Sequence, residues 1–135
     1  MNEEVVRLWV VKADHDLKIG KSELETPEPA TDAICFHMQQ CVEKYLKAFL
    51  VSNGHEISRT HVIPVLLKQC ADIDDSFLSL ENLGLQYMSK YAVELRYPDD
   101  FYMPRVDETK EAVRKAEEVR AFVYPKLGLG SRLLE

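Results

Sequence analysis

The stretch from Ala33 to Val51 constrains this chain most, because thirteen of its nineteen residues are apolar. A helix at a protein surface needs one apolar stripe; a helix this apolar must be covered on nearly every side. The sequence therefore predicts a central helix over about Ala30 to Ser52, with the remaining elements packed around it. One narrow polar line survives on it, Gln40, Lys44 and Lys47 at i, i+4 and i+7, and Glu43 precedes Lys47 by four in the favourable acid-before-base order. Asn53-Gly54 ends the helix, Gly54 supplying a left-handed residue.

Gly and Pro clusters divide the rest of the chain into helical lengths, with no repeat and no long linker between them. Upstream, Glu3 to Leu24 places Val6, Trp9, Val10, Ala13, Leu17 and Leu24 at helical spacing, and Pro27 and Pro29 keep that helix from continuing into the central one. Downstream, a short helix is expected from about His61 to Cys70, with Thr60 as its N-cap and Pro64 near its start. A long helix from about Asp75 to Leu95 is indicated by Phe77, Leu80, Gly84, Tyr87/Met88, Tyr91 and Leu95, with Arg96 in its last turn and Tyr97 pushed out of it by Pro98. Asp107 and Glu108 open a final helix through Ala112/Val113, Ala116, Val119, Val123 and Leu127, stopped by Gly128. The sum is an all-α fold, an antiparallel up-and-down bundle of four long helices plus one short helix. It forms one domain over residues 3–128 with a frayed tail at 129–135. So slim a bundle leaves an apolar flank over, and a homodimer is expected.

Composition narrows the function. With 17 Lys+Arg against 23 Asp+Glu the net charge is −6, which excludes diffuse attraction to nucleic acid or to an anionic membrane, so any phosphate site must be local. No run reaches the ~18 apolar residues of a membrane span, and the acidic start MNEEVVRLWVVKADHD lacks the character of a signal peptide. A cytoplasmic protein without a membrane partner is expected. Cys35, Cys41 and Cys70 are odd in number, and the first two point about 240° apart on one helix, so packed, reduced thiols are expected.

Neither a metal nor a cofactor is expected: His15, His37, His55 and His61 are scattered, and no His-Glu-x-x-His or Cys-x-x-Cys occurs. Asp14-His15-Asp16 resembles a ligand cluster, but neighbours on a helix diverge by about 100°, and a solvated face is the expected role. Glycine-rich phosphate loops and Gly-x-Ser-x-Gly are likewise missing, so the hydrolase and kinase templates fail.

Two stretches carry more. The central helix reads Gln39-Gln40-Cys41-Val42-Glu43-Lys44-Tyr45-Leu46-Lys47, followed after a loop by His61 and an apolar short helix; further on stands Glu94-Leu95-Arg96-Tyr97-Pro98-Asp99-Asp100. Together these resemble the HEPN family (higher eukaryotes and prokaryotes nucleotide-binding domain), over about Val6 to Val123. Its pattern has a Gln-Gln-x-x-Glu-Lys-x-x-Lys helix, a His opening the next helix, and Arg-Tyr-Pro closing a later one. The resemblance implies a four- to five-helix bundle, usually a homodimer, often paired with a small nucleotidyltransferase, and in many members serving a toxin–antitoxin or defence role. No nucleotidyltransferase signature of its own occurs in this chain. The resemblance also implies that catalytic members are metal-independent RNases using Arg and a His four to six positions beyond it, the Arg steadying the phosphate while the His moves a proton. Here Arg96 is present, but those positions are Asp100 to Tyr102, and no histidine occurs after His61. Neither an unperturbed carboxyl nor a phenol titrates near neutrality.

The expected function is therefore non-catalytic binding of a nucleotide or RNA, or of a nucleotidyltransferase partner, at the Arg96 end of the bundle. Arg96 would gather with Lys44, Lys47 or His61 into a small positive recess for phosphate, and Tyr97 and Tyr102 would stack a base. Each has a plainer role: Arg96 complementing the helix dipole and pairing with Asp99 or Asp100, Tyr97 capping the core, Lys44 and Lys47 on a solvated edge, and Gln40 bonded to another helix or a loop. The rivals are an RNase centred on Arg96 with a displaced acid/base, and a purely structural helical adaptor.

Overall fold

The computed structural model describes residues 3–57, 59–93 and 102–129, and among them there are helices and turns but no strand. Helix α1 (Glu3–Leu24) starts on Glu3 and Glu4 and carries Lys21 in its last turn, charges that suit the two ends of its dipole. It buries Val6, Val10, Ala13 and Leu17. A tight turn comes next, held by the Glu23 carboxylate accepting from the Ala30 amide at 3.0 Å. Helix α2 (Thr31–Ser52) then runs antiparallel to α1, so that Gly20 lies against Ile34 and Met38 while Trp9 lies near Lys47.

Helix α2 is the buried axis that its composition requires. Cys35, Met38, Cys41, Val42, Tyr45, Leu46 and Ala48 are all fully buried. Gly54 adopts φ +80°, and the Gly54 and His55 amides bond back to the Val51 and Leu50 carbonyls, each at 3.0 Å. By His61 the chain has come back alongside α2: the Gln39 side chain, more than three turns before the end of α2, donates to the His61 carbonyl at 3.3 Å. Helix α3 (Ile63–Ile73) starts there with Pro64 in its first turn. Thr60 does not cap it as expected; Val62 is the cap residue, and Thr60 Oγ1 accepts from the Val62 amide at 3.1 Å.

The expected long α-helix over Asp75 to Leu95 is not formed. In its place are two 3₁₀ segments, Asp75–Leu83 and Leu85–Met88, and a short helix α4 (Lys90–Val93). Gly84 separates the 3₁₀ segments at φ +70°, a left-handed residue that ends one helix and turns the chain into the next. The apolar residues explain the tighter winding. Phe77, Leu80 and Leu83, then Leu85, Met88 and Tyr91, recur at every third position, and in a 3₁₀ helix such residues line up on one face. Phe77 packs between Phe49 of α2 and Phe122, with ring centroids at 4.4 and 5.0 Å.

Residues 94–101, with Arg96, Tyr97 and the Pro98 turn, lie outside the described residues. Helix α5 (Val106–Val123) opens with Asp107 and Glu108, closes into a 3₁₀ turn Tyr124–Leu127, and ends at Gly128 with φ +68°. It runs in the same direction as α2, its Thr109 beside Cys35 at 3.6 Å and its Arg120 reaching Asp14, which also receives the Tyr45 hydroxyl. Leu129 is buried, and the expected tail beyond it lies outside the described residues. The three cysteines are free and buried.

Candidate functional site

Two carboxylates on α1 meet α2 where a solvated face was expected. Asp16 is 7% exposed and binds both Lys44 Nζ at 2.7 Å and His37 Nδ1 at 2.8 Å. Asp14 receives the Tyr45 hydroxyl and, at 2.9 Å, the Arg120 Nε. Burial pushes the Tyr45 phenol far above its ordinary range. The Asp14 carboxylate raises the Arg120 guanidinium, so this end of the cluster stays charged. Only His15 of that triplet faces solvent. Periodicity within α1 could not reveal this, because the pairing of Asp14 and the burial of Asp16 are decided by what stands opposite them on α2 and α5.

A third carboxylate, Glu43, organises the other half of the α2 polar line. It is 3% exposed. Its Oε2 takes Lys47 Nζ and His61 Nδ1, each at 3.0 Å, and its Oε1 takes Gln39 Nε2 at 3.3 Å. Lys47 is itself buried, with its ammonium 5.8 Å from the centre of the Trp9 ring, so the expectation of a solvated edge fails for it. His61 is the open member, with 69% of its side chain in solvent. The buried amide is Gln39, which makes the helix-to-loop bond expected of Gln40; Gln40 donates to Gln39 at 2.8 Å.

The third cluster flanks residues 94–101. The hydroxyls of Tyr91 and Tyr102 both donate to Glu108, one to each oxygen. Lys90 lies 3.9 Å from Glu108 and over both rings, at 5.6 Å from Tyr91 and 5.0 Å from Tyr102. Burial alone would raise the Glu108 carboxyl, but the Tyr102 and Tyr91 hydroxyls and the Lys90 ammonium together hold it below its ordinary range. Burial, then the bond to Glu108, pushes the Tyr91 phenol well above its own. A cleft of about 170 Å³ opens beside the cluster, lined by Tyr87, Lys90, Tyr91, Glu108 and Lys115 among others.

The residues chosen from the sequence therefore fall into groups. Lys47 and His61 share one carboxylate, Lys44 sits on another, and Tyr102 belongs with Lys90, Tyr91 and Glu108. Arg96 and Tyr97 lie outside the described residues. Among the described residues no set of His, Cys, Asp and Glu is placed to hold a metal ion, and no helix is long and apolar enough to cross a membrane.

The family model of the HEPN domain matches residues 6–127. This chain belongs to the HEPN family. Across 95% of the chain and 94% of the relative it is 30% identical to a protein of Methanocaldococcus jannaschii named "Putative toxin MJ1304". Two crystal structures share the fold. One is ST0689, an archaeal HEPN homologue, with a TM-score of 0.70 and 23% identity over 90% of this chain and 97% of that one. The other is TT1696 from Thermus thermophilus, with a TM-score of 0.70 and 26% identity over 90% of this chain and 98% of that one. Within the HEPN fold the Gln39-Gln40-x-x-Glu43-Lys44-x-x-Lys47 stretch has a structural reading. Gln39, Glu43 and Lys47 line one buried side of α2 and tie the His61 loop to it, while Lys44 ties α1 to it. Sequence reasoning missed Asp16, Lys90, Tyr91 and Glu108. Glu108 carried a signal, as an acid in the first turn of a helix, and Asp16 carried one, within Asp14-His15-Asp16, that pointed to a solvated face instead.

Proposed function

We propose that this HEPN protein is the toxin-type member of a two-component module, and that it binds RNA or a nucleotide at the Arg96 end of the bundle without cleaving it. A small nucleotidyltransferase is the proposed protein partner, and a cytoplasmic homodimer the proposed working form. The observation that carries the reading is identity at 30% along nearly the whole of both chains with the relative named as a toxin. The geometry supports it through Tyr91 and Tyr102. They flank in sequence the segment holding Arg96 and both donate to Glu108, with Lys90 over both rings; Tyr91 is buried, and Tyr102, 37% exposed, is the ring of the two that a base would meet. Lys44 and Lys47 are each paired with a carboxylate, which leaves the phosphate contact to Arg96. Cleavage through the family's Arg–His pair is not proposed, because Asp100, Phe101 and Tyr102 occupy the places of the histidine.

The test is calorimetric titration of the purified chain with short RNA and with ATP, beside metal-free incubation with labelled RNA. Binding that falls at least about tenfold in Arg96→Ala, without cleavage, supports the reading. Arg96-dependent cleavage replaces it with the RNase. No heat for either ligand, with tight binding to the nucleotidyltransferase encoded alongside, replaces it with the adaptor. A monomeric mass by light scattering removes the dimer.

A further inference from the structure

We infer that His61, its ring set by Glu43, reads a ribose hydroxyl and lets this protein prefer ribose to deoxyribose ligands; the inference rests on the nucleotide- or RNA-binding reading above. A carboxylate only accepts hydrogen bonds, so the proton in the 3.0 Å contact with Glu43 belongs to Nδ1 of His61. The neutral ring is thereby held in one tautomer, and Nε2 is left as an acceptor on a side chain 69% open to solvent. An outward acceptor suits a hydroxyl donor and does not suit a phosphate oxygen, which has no proton to give.

The support beneath the ring exceeds what anchoring a loop requires. Gln39 already ties the His61 backbone to α2 through the carbonyl. Glu43 and Lys47 are nevertheless buried together, 3% and 4% exposed, a costly arrangement compared with an apolar pair. With Lys47 and Gln39 holding the carboxylate, Glu43 has one orientation to offer the imidazole. Glu43 is thus a positioning residue, and His61 the group that meets the ligand. Of all nucleotide features, the 2′-hydroxyl is the one that separates RNA from DNA.

Two measurements on the full chain test this. Nitrogen-15 NMR of the neutral imidazole is expected to show His61 protonated on Nδ1. Calorimetry with a short single-stranded RNA and the DNA of the same sequence, and with ATP and 2′-deoxy-ATP as the mononucleotide arm, is expected to show the ribose ligand bound about fivefold more tightly. His61→Phe should abolish that preference, weakening the ribose ligands more than the deoxyribose ones. Glu43→Gln combined with Lys47→Met, which leaves no buried charge uncompensated, should free the tautomer and reduce the preference. A neutral ring protonated on Nε2, equal affinity for ribose and deoxyribose ligands, or equal weakening of both by His61→Phe overturns the inference and leaves the binding reading intact. No heat with any ligand removes that reading and this inference with it.

Discussion

Gly20 of α1 and Met38 of α2 meet where the helices leave no room for a side chain: a β-carbon at position 20 would stand 2.4 Å from the Met38 methyl and 3.4 Å from its sulfur. The obstructing atom is the end of a flexible chain, so Gly20→Ala is expected to be close to neutral, its gain in helix propensity of up to about 1 kcal/mol offset by repacking Met38. Gly20→Val adds branches toward Ile34 as well and is expected to cost about 1–3 kcal/mol. Urea denaturation of the two variants checks both signs.

Removing one member of the Glu43–Lys47 pair strands the other. Glu43→Gln leaves the Lys47 ammonium, 5% exposed, without its carboxylate, and a loss of about 3–5 kcal/mol is expected. Adding Lys47→Met should recover most of it. A double-mutant cycle by chemical denaturation measures the coupling, and an additive double variant would refute it.

The Asp74 carboxyl is held at about 2, below its ordinary 3.8, first by the Ser76 hydroxyl and then by Lys126, which ties the start of the first 3₁₀ segment to the 3₁₀ turn that follows α5. A depressed carboxyl stabilises the fold above its unfolded value and loses that contribution as pH falls through the folded one. Stability should therefore decline between about pH 4 and pH 2, and Asp74→Asn should flatten that part of the decline. Denaturation midpoints across the window compare the two.

Burial pushes all three thiols up, Cys70 to about 12 and Cys35 and Cys41 also upward. The thiolate is the reactive form, so the folded chain should resist Ellman's reagent at pH 8, and all three should react once the chain is unfolded.

Helix boundaries were legible because single residues set them. Gly54 and Gly128, where helices were expected to end, both sit at positive φ, and Pro27 and Pro29 fall between α1 and α2; Gly84, also at positive φ, was expected inside a helix. The 75–93 stretch was misread because Phe77, Leu80 and Leu83 repeat at three, a spacing that α and 3₁₀ helices share over short lengths. For the candidate site, Glu43–Lys47 was visible as a pair within one helix. Asp16–Lys44 and Glu43–His61 were not, since they join residues 28 and 18 positions apart and depend on how α1 and the returning loop dock against α2. Tyr91 and Glu108 were hidden for the same reason, being 17 positions apart.

Glu108 also sets a thermodynamic starting point. By holding Tyr91 and Tyr102, eleven positions apart, it brings together the ends of the span between them. Bringing together two residues eleven positions apart costs an unfolded chain about 2 kcal/mol of entropy. That cost is met once, as the protein folds, and Glu108 keeps the two tyrosines side by side from then on.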